Sequence, residues 1–78
     1  MVDVNIDETL DARGLNCPLP VLKTKKALKP MEAGKVLEVF STDPGTVKDL
    51  EAFAEQTGHE LLLSETRNDE YYFLIRKA

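Results

Sequence analysis

Residues 59–77 read HELLLSETRNDEYYFLIRK, and the fold turns on how they are taken. Two segments with the pattern of strands, HELLLSET and EYYFLIRK, are joined by Arg67, Asn68 and Asp69. Short strand patterns separated by so few turn-forming residues predict a β-hairpin, so the last two strands run antiparallel.

Ahead of the hairpin the chain alternates between strand and helix. VNIDETLD alternates and precedes a glycine, predicting a first strand over Val4 to Leu10. From Pro18 to about Met31 the residues Val21, Thr24, Leu28 and Met31 recur at spacings of three and four while Lys23, Lys26 and Lys29 fall elsewhere, the pattern of an amphipathic helix. Gly34 stops it. Lys35 to Ser41 forms a second strand, with Leu37 and Val39 on one face and Glu38 on the other. TDPGTVKDLEAFAEQTG then offers Asp43 as N-cap, Pro44 as first helical residue and Gly58 as terminator, with Val47, Leu50, Phe53 and Ala54 as the buried stripe.

The resulting order, βαβαββ, nearly dictates the architecture. Right-handed crossovers put both helices on one face if strands 2 and 3 succeed strand 1 in the same direction. The gap between strands 2 and 3 then receives strand 4 antiparallel. The expected fold is an α/β two-layer sandwich with a four-stranded mixed sheet of order 1-2-4-3. On the open face Glu38, Glu60, Ser64 and Arg76 suit water, while Val36, Leu62, Tyr72 and Leu74, which share it by alternation, read as scattered surface residues or as a partner patch.

Seventy-eight residues make one domain, near the size at which a single apolar core is barely sufficient. The one cysteine, Cys17, provides no internal disulfide, which points to a reducing compartment. The acidic, alternating amino terminus does not resemble a secretory signal, and the longest apolar run, Tyr71 to Ile75, is too short to cross a bilayer. A cytoplasmic protein with no membrane association is the expectation. The net charge of -4 argues against strong nucleic-acid binding. The charge is uneven, however: Arg13, Lys23, Lys25, Lys26 and Lys29 form a stretch without an acid, which is either a solvated helix face or a docking surface.

Cys17 begins that stretch, in RGLNCPLPVL. With Cys17 as N-cap, Pro18 and Pro20 fall in the first turn of the helix, where a missing N–H costs no helical hydrogen bond. Gly14 sets the turn before it, and the Leu19 and Val21 N–H groups remain as donors. A thiol at a helix amino end near Arg13 and several lysines is expected to ionise below the free-cysteine value of about 8.5, which makes it a nucleophile at neutral pH. The same position also suits a small buried apolar residue. A C-x-x-C redox pair is excluded, since Pro20 stands where the second cysteine would be. One Cys and one His fall short of a metal site. His59, the one available base for a hydrolase, falls at the start of a strand and reads as a surface or edge residue rather than a dyad partner.

LDARGLNCPLPVLKTKKAL, spanning residues 10–28, resembles the signature of the TusA/SirA sulfur-carrier family, whose hallmark is Cys-Pro-x-Pro at the start of the first helix. The resemblance continues through MEAGKVLEV, DPGTVKDLEAF, GHELL and YYFLIRK, and so covers nearly the whole chain. It implies a single sulfur-carrier domain over residues 1–78 with a two-layer α/β fold similar to the C-terminal domain of a bacterial translation initiation factor. It also implies that Cys17 accepts sulfane sulfur as a persulfide from a cysteine desulfurase or rhodanese-type donor and passes it to a partner cysteine, with no other cofactor. Pro18, Pro20 and Gly14 would shape the loop, Asp11 or Arg13 would position the thiol, and Lys23, Lys25, Lys26 and Lys29 would dock acidic partner surfaces on a carrier that is a monomer when free. Leu19 departs from the Cys-Pro-Glu-Pro of several tRNA-thiolation members, so tRNA thiolation, sulfur-oxidation trafficking and delivery for cofactor synthesis stay open. Two other readings stand beside this one. The first is a non-catalytic regulatory protein docking through the basic helix. The second is an RNA-binding module, suggested by fold analogy alone.

Overall fold

The computed structural model describes residues 5–78. Its elements are β1 (Glu8–Ala12), α1 (Leu19–Leu28), β2 (Val36–Ser41), α2 (Thr46–Thr57), β3 (Glu60–Arg67) and β4 (Glu70–Arg76). The sheet order is β1-β2-β4-β3, with β1 and β2 parallel and β4 antiparallel to both neighbours, as the sequence predicts. Leu28 of α1 and Leu50 and Ala54 of α2 pack with Leu37, Val39, Phe73 and Ile75 in one cluster, so both helices cover the same sheet face. Each fully buried Leu or Ile there contributes roughly 1.5–3 kcal/mol by leaving water.

Several boundaries differ from the sequence reading for local reasons. Val4 lies outside the described residues, and β1 begins only at Glu8; just ahead of it Asp7 donates its N–H to Val36 O at 2.9 Å while its carboxylate takes the Val36 N–H at 2.8 Å, so a side chain stands in for the next backbone ladder bond. The strand runs on to Ala12, which is fully buried opposite Ser41. The first helix stops at Leu28, two residues before Pro30, and the Lys77 ammonium closes its end by donating to the carbonyls of Leu28, Lys29 and Met31 at 2.8, 3.3 and 3.2 Å. The N-cap of α2 is Gly45 rather than Asp43. Asp43 and Pro44 instead form a tight turn, their carbonyls accepting the N–H groups of Thr46 (3.0 Å) and Val47 (3.4 Å).

The hairpin turn is Asn68–Asp69, both at positive φ (49° and 65°), the geometry that matches the strands' twist. A β-bulge between Leu61 and Leu63 reverses the side-chain alternation that follows. Ser64 therefore pairs with Phe73 on the helix-covered side and not on the open side, and Leu63 takes the open side with Leu74. The open face is also not a scatter of apolar residues. Val36, Tyr72 and Leu74 are each about 95% buried, and Phe40, Leu62 and Leu63 pack against them. Arg67 stacks 3.9 Å from the Tyr72 ring centroid, and the Tyr72 hydroxyl donates to Glu38, so long polar side chains roof a second, smaller apolar cluster. Burial and the Glu38 carboxylate push the Tyr72 phenol up to about 12.

Candidate functional site

The parallel pairing of β1 and β2 places the loops that follow them at one edge of the sheet, and each loop leads into a helix. Those two loops are bound to each other. Gly14, whose φ of +82° only glycine adopts without strain, donates its N–H to the Thr42 hydroxyl at 2.9 Å. At the foot of the second loop the buried hydroxyls of Ser41 and Thr46 share a 2.8 Å hydrogen bond, and Ser41 Oγ accepts the Asp43 N–H at 3.2 Å. The start of α2 is thereby fixed to the end of β2.

Cys17 stands where these loops meet. Its side chain is exposed, and its peptide bond to Pro18 is cis. Helix α1 has Pro18, not Cys17, as its N-cap, because the Leu19 N–H turns back to Asn16 O at 2.8 Å and the first helical bond runs from Leu22 N–H to Pro18 O. Pro20 occupies the second helical position and is buried. Its carbonyl accepts the hydroxyl of Thr24, itself fully buried, at 2.8 Å. Of the first three helical residues only Val21 keeps an N–H without a partner among the described residues. The amino end of α1 therefore keeps one free donor, fewer than the sequence reading assigned.

Asp11 and Arg13 are brought together, but away from the thiol. The guanidinium grips the Asp11 carboxylate through Nε (2.8 Å) and Nη2 (3.0 Å), reaches Glu70 at 3.6 Å and lies 5.4 Å from the Phe40 ring centroid, over the open face of the sheet. This clasp holds the Asp11 carboxyl down to about 2. Both residues shape the loop that carries Cys17, and neither is hydrogen-bonded to it. The four lysines of the basic stretch are exposed, Lys23, Lys25 and Lys26 on α1 and Lys29 at its C-cap, and none takes part in the ion pairs among the described residues. His59 is remote from the thiol in its bonding: its Nδ1 accepts the Ala78 N–H at 2.9 Å and its ring packs 5.6 Å from Phe53.

The residue that does touch Cys17 went unnoticed in the sequence. Cys17 Sγ donates to Asp49 Oδ2, in the first turn of α2, at 2.8 Å. That hydrogen bond, with desolvation and the charges of Asp49 and Asp43, raises the thiol above its ordinary value. The expectation of a depressed pKa is thus reversed by a carboxylate supplied from the neighbouring helix. The topology held the clue: parallel strands with helices on one face bring both helix amino ends to the same edge, and Asp49 is the one acid in the first turn of α2. Between the helices an open groove of about 370 Å³ runs from Cys17 and Asp49 past Val21, Leu22, Lys25 and Phe53. Leu22, which lines it, is 53% exposed, and Leu19, the first residue of α1, is 45% exposed. No helix among the described residues is long and apolar enough to cross a membrane, and no cluster of side chains there has the make-up of a metal site.

Comparison with known proteins bears on this arrangement directly. The chain is 54% identical over 74 residues to the sulfur carrier protein TusA of Allochromatium vinosum, covering 95% of this chain and 97% of that one. It is 45% identical to the putative sulfur carrier protein YrkI of Bacillus subtilis, covering 92% and 96% of the two chains. The crystal structure of a SirA-like protein from Desulfitobacterium hafniense superposes with a TM-score of 0.74 at 36% identity, covering 90% of this chain and 96% of that one. The family model described as Sulfurtransferase TusA matches residues 8–77, and with the shared fold and the relatives' near full-length match this establishes that the chain belongs to the TusA family.

Proposed function

We propose that the protein carries sulfane sulfur as a persulfide on Cys17, taking it from a cysteine desulfurase or rhodanese-type donor and giving it to a cysteine of an acceptor protein. Membership of the TusA family supports a sulfur-carrier role, and with it a donor and an acceptor protein. The observation that carries the finer reading is the placement of the chain's one thiol: exposed, at the meeting point of two helix amino ends, with no second cysteine in the sequence and no metal ligand set among the described residues.

In loading, Cys17 loses its proton to water. Its sulfur then bonds to the terminal sulfur of the donor persulfide, while the donor's S–S bond breaks with its electron pair leaving on the donor cysteine, which takes up a proton. In delivery, the acceptor thiolate attacks the outer sulfur of Cys17–S–SH and Cys17 leaves as thiolate. One sulfur atom moves in each step and no external oxidant or reductant is needed. Pro18 and Pro20 stiffen the turn behind the sulfur, and the exposed Leu19 and Leu22 give a partner an apolar surface beside it. The lysines of α1 steer acidic partner surfaces toward this end of the molecule.

The test is intact mass after incubation with a cysteine desulfurase and cysteine. A gain of one sulfur atom, reversed by reductant and absent in Cys17→Ser, is the expected result. Several desulfurase and rhodanese donors failing to load a protein whose Cys17 alkylates readily would overturn the reading and favour a regulatory protein docking through the basic helix.

A further inference from the structure

We propose that Asp49 governs the reactivity of Cys17, holding the resting thiol in its protonated form and so restraining the free carrier from reacting before a partner is engaged. This rests on the reading of Cys17 as a sulfur carrier. An acid in the first turn of a helix has an ordinary role, complementing the helix dipole, but that role does not require its oxygen to reach a thiol on another element. Here Asp49 Oδ2 lies 2.8 Å from Cys17 Sγ, across the interval between α2 and the loop before α1. A carboxylate can only accept in such a contact, so the proton must sit on sulfur for the hydrogen bond to exist.

The other charges around the thiol do not compensate. Asp43, from the loop between β2 and α2, adds a second negative charge that acts in the same direction. Lys25 of α1 lines the same groove but does not reverse the direction that the carboxylates set, while Arg13, the cation nearest in sequence, is tied to Asp11 and Glu70. Once Cys17 is loaded, its Sγ has no proton to donate to Asp49, and ionisation of the outer sulfur between loading and delivery would set a second negative charge against the carboxylate. The carboxylate thus favours the unloaded thiol twice: by bonding to it and by repelling what replaces it. In the transfer itself the Cys17 proton passes to water, the Asp49 contact is broken, and the new S–S bond forms as described above.

The experiment is the pH profile of Cys17 alkylation by iodoacetamide in the wild-type protein and in Asp49→Asn, Asp49→Ala and Asp49→Glu, with thermal melts showing that each is folded. Removing the charge is expected to move the profile to lower pH and to raise the rate at neutral pH by about tenfold in both Asn and Ala variants, while Glu keeps the slow rate. Superimposable profiles for wild type and Asp49→Asn would overturn the proposal. So would a shift confined to Asp49→Ala, which would make the effect one of packing. Sulfur loading measured by intact mass separates the two claims. If Asp49→Asn shifts the alkylation profile but wild type takes no sulfur from any donor, the control of the thiol stands and the carrier reading falls.

Discussion

Two helix amino ends converge on Cys17, and they act on it in opposite senses. The end of α1, to which the cysteine is adjacent in sequence, has no acid in its first turn, has Pro20 at the second helical position and spends the Leu19 N–H on Asn16. The end of α2, distant in sequence, has Gly45 as its cap and brings Asp49 to the sulfur. A helix dipole acts through about half a charge spread over several free N–H groups, and among the described residues α1 retains one such group, that of Val21. A full negative charge at hydrogen-bond distance outweighs that, so the thiol titrates above its ordinary value. A cysteine at a helix start is therefore not activated by position alone; what the facing element presents decides.

The sharpest way to break this contrast is to reverse the sign at α2. Asp49→Lys replaces an acceptor that needs a protonated thiol with a donor that favours a thiolate. Alkylation at neutral pH should exceed that of wild type by more than the roughly tenfold expected for Asp49→Asn. The sign follows from the raised pKa: wild-type reactivity climbs only as pH rises past the ordinary cysteine range, whereas the lysine variant should already be near its plateau there. A lysine variant no faster than the asparagine variant would mean that the thiol responds to the lost hydrogen bond and not to charge.

A smaller effect is expected from the charges on the outer side of α1. Lys23, Lys26 and Lys29 are exposed and outside the ion pairs among the described residues, so their replacement by Glu leaves the surroundings of Cys17 intact. Loading from a desulfurase should slow by about fivefold at low ionic strength, with the difference shrinking as salt screens the encounter. The alkylation profile and melting temperature should stay close to wild type. Equal slowing of loading and alkylation would place the lysines in the thiol's own electrostatics, and unchanged loading would return them to a solvated face.

How far all this could be read from sequence follows from what kind of information each feature needs. Strand order, the hairpin and the helix stripes were legible because periodicity and turn residues are local: Leu37 and Val39 alternate with Glu38, and Leu50 and Ala54 share a helical face. The bulge at Leu61/Leu63 was not legible, since inserting one residue into β3 leaves the run of leucines looking like any buried strand, yet it moves Ser64 and Leu63 to opposite faces from those expected. Cys17, Pro18 and Pro20 were visible as a motif. Asp11 and Arg13 were visible too, but what Arg13 would meet besides Asp11 depended on Phe40 and Glu70, 27 and 57 residues further along the chain. Asp49 was hidden for the same reason: its contact with Cys17 spans 32 positions in sequence.

The smallest expected effect tests the α1 side of the contrast. Pro20→Ala restores an N–H at the second helical position, adding a donor at the amino end nearest the thiol. A second donor beside the free Val21 N–H should favour the thiolate slightly, raising alkylation at neutral pH by less than about threefold while Asp49 remains in place. The substitution also removes ring atoms from a fully buried site and relaxes the turn that fixes Cys17, although the Thr24 hydroxyl can still bond to the backbone carbonyl of residue 20. Loading should survive, and transfer to an acceptor cysteine should slow, because in-line attack on the outer sulfur depends on where that turn aims it. A rate gain equal to that of Asp49→Asn would show that the missing proline N–H, not the carboxylate, keeps the thiol protonated, and would invert the ranking of the two helix ends. No change in alkylation with slower delivery would leave α2 in sole charge of protonation and α1 in charge of direction.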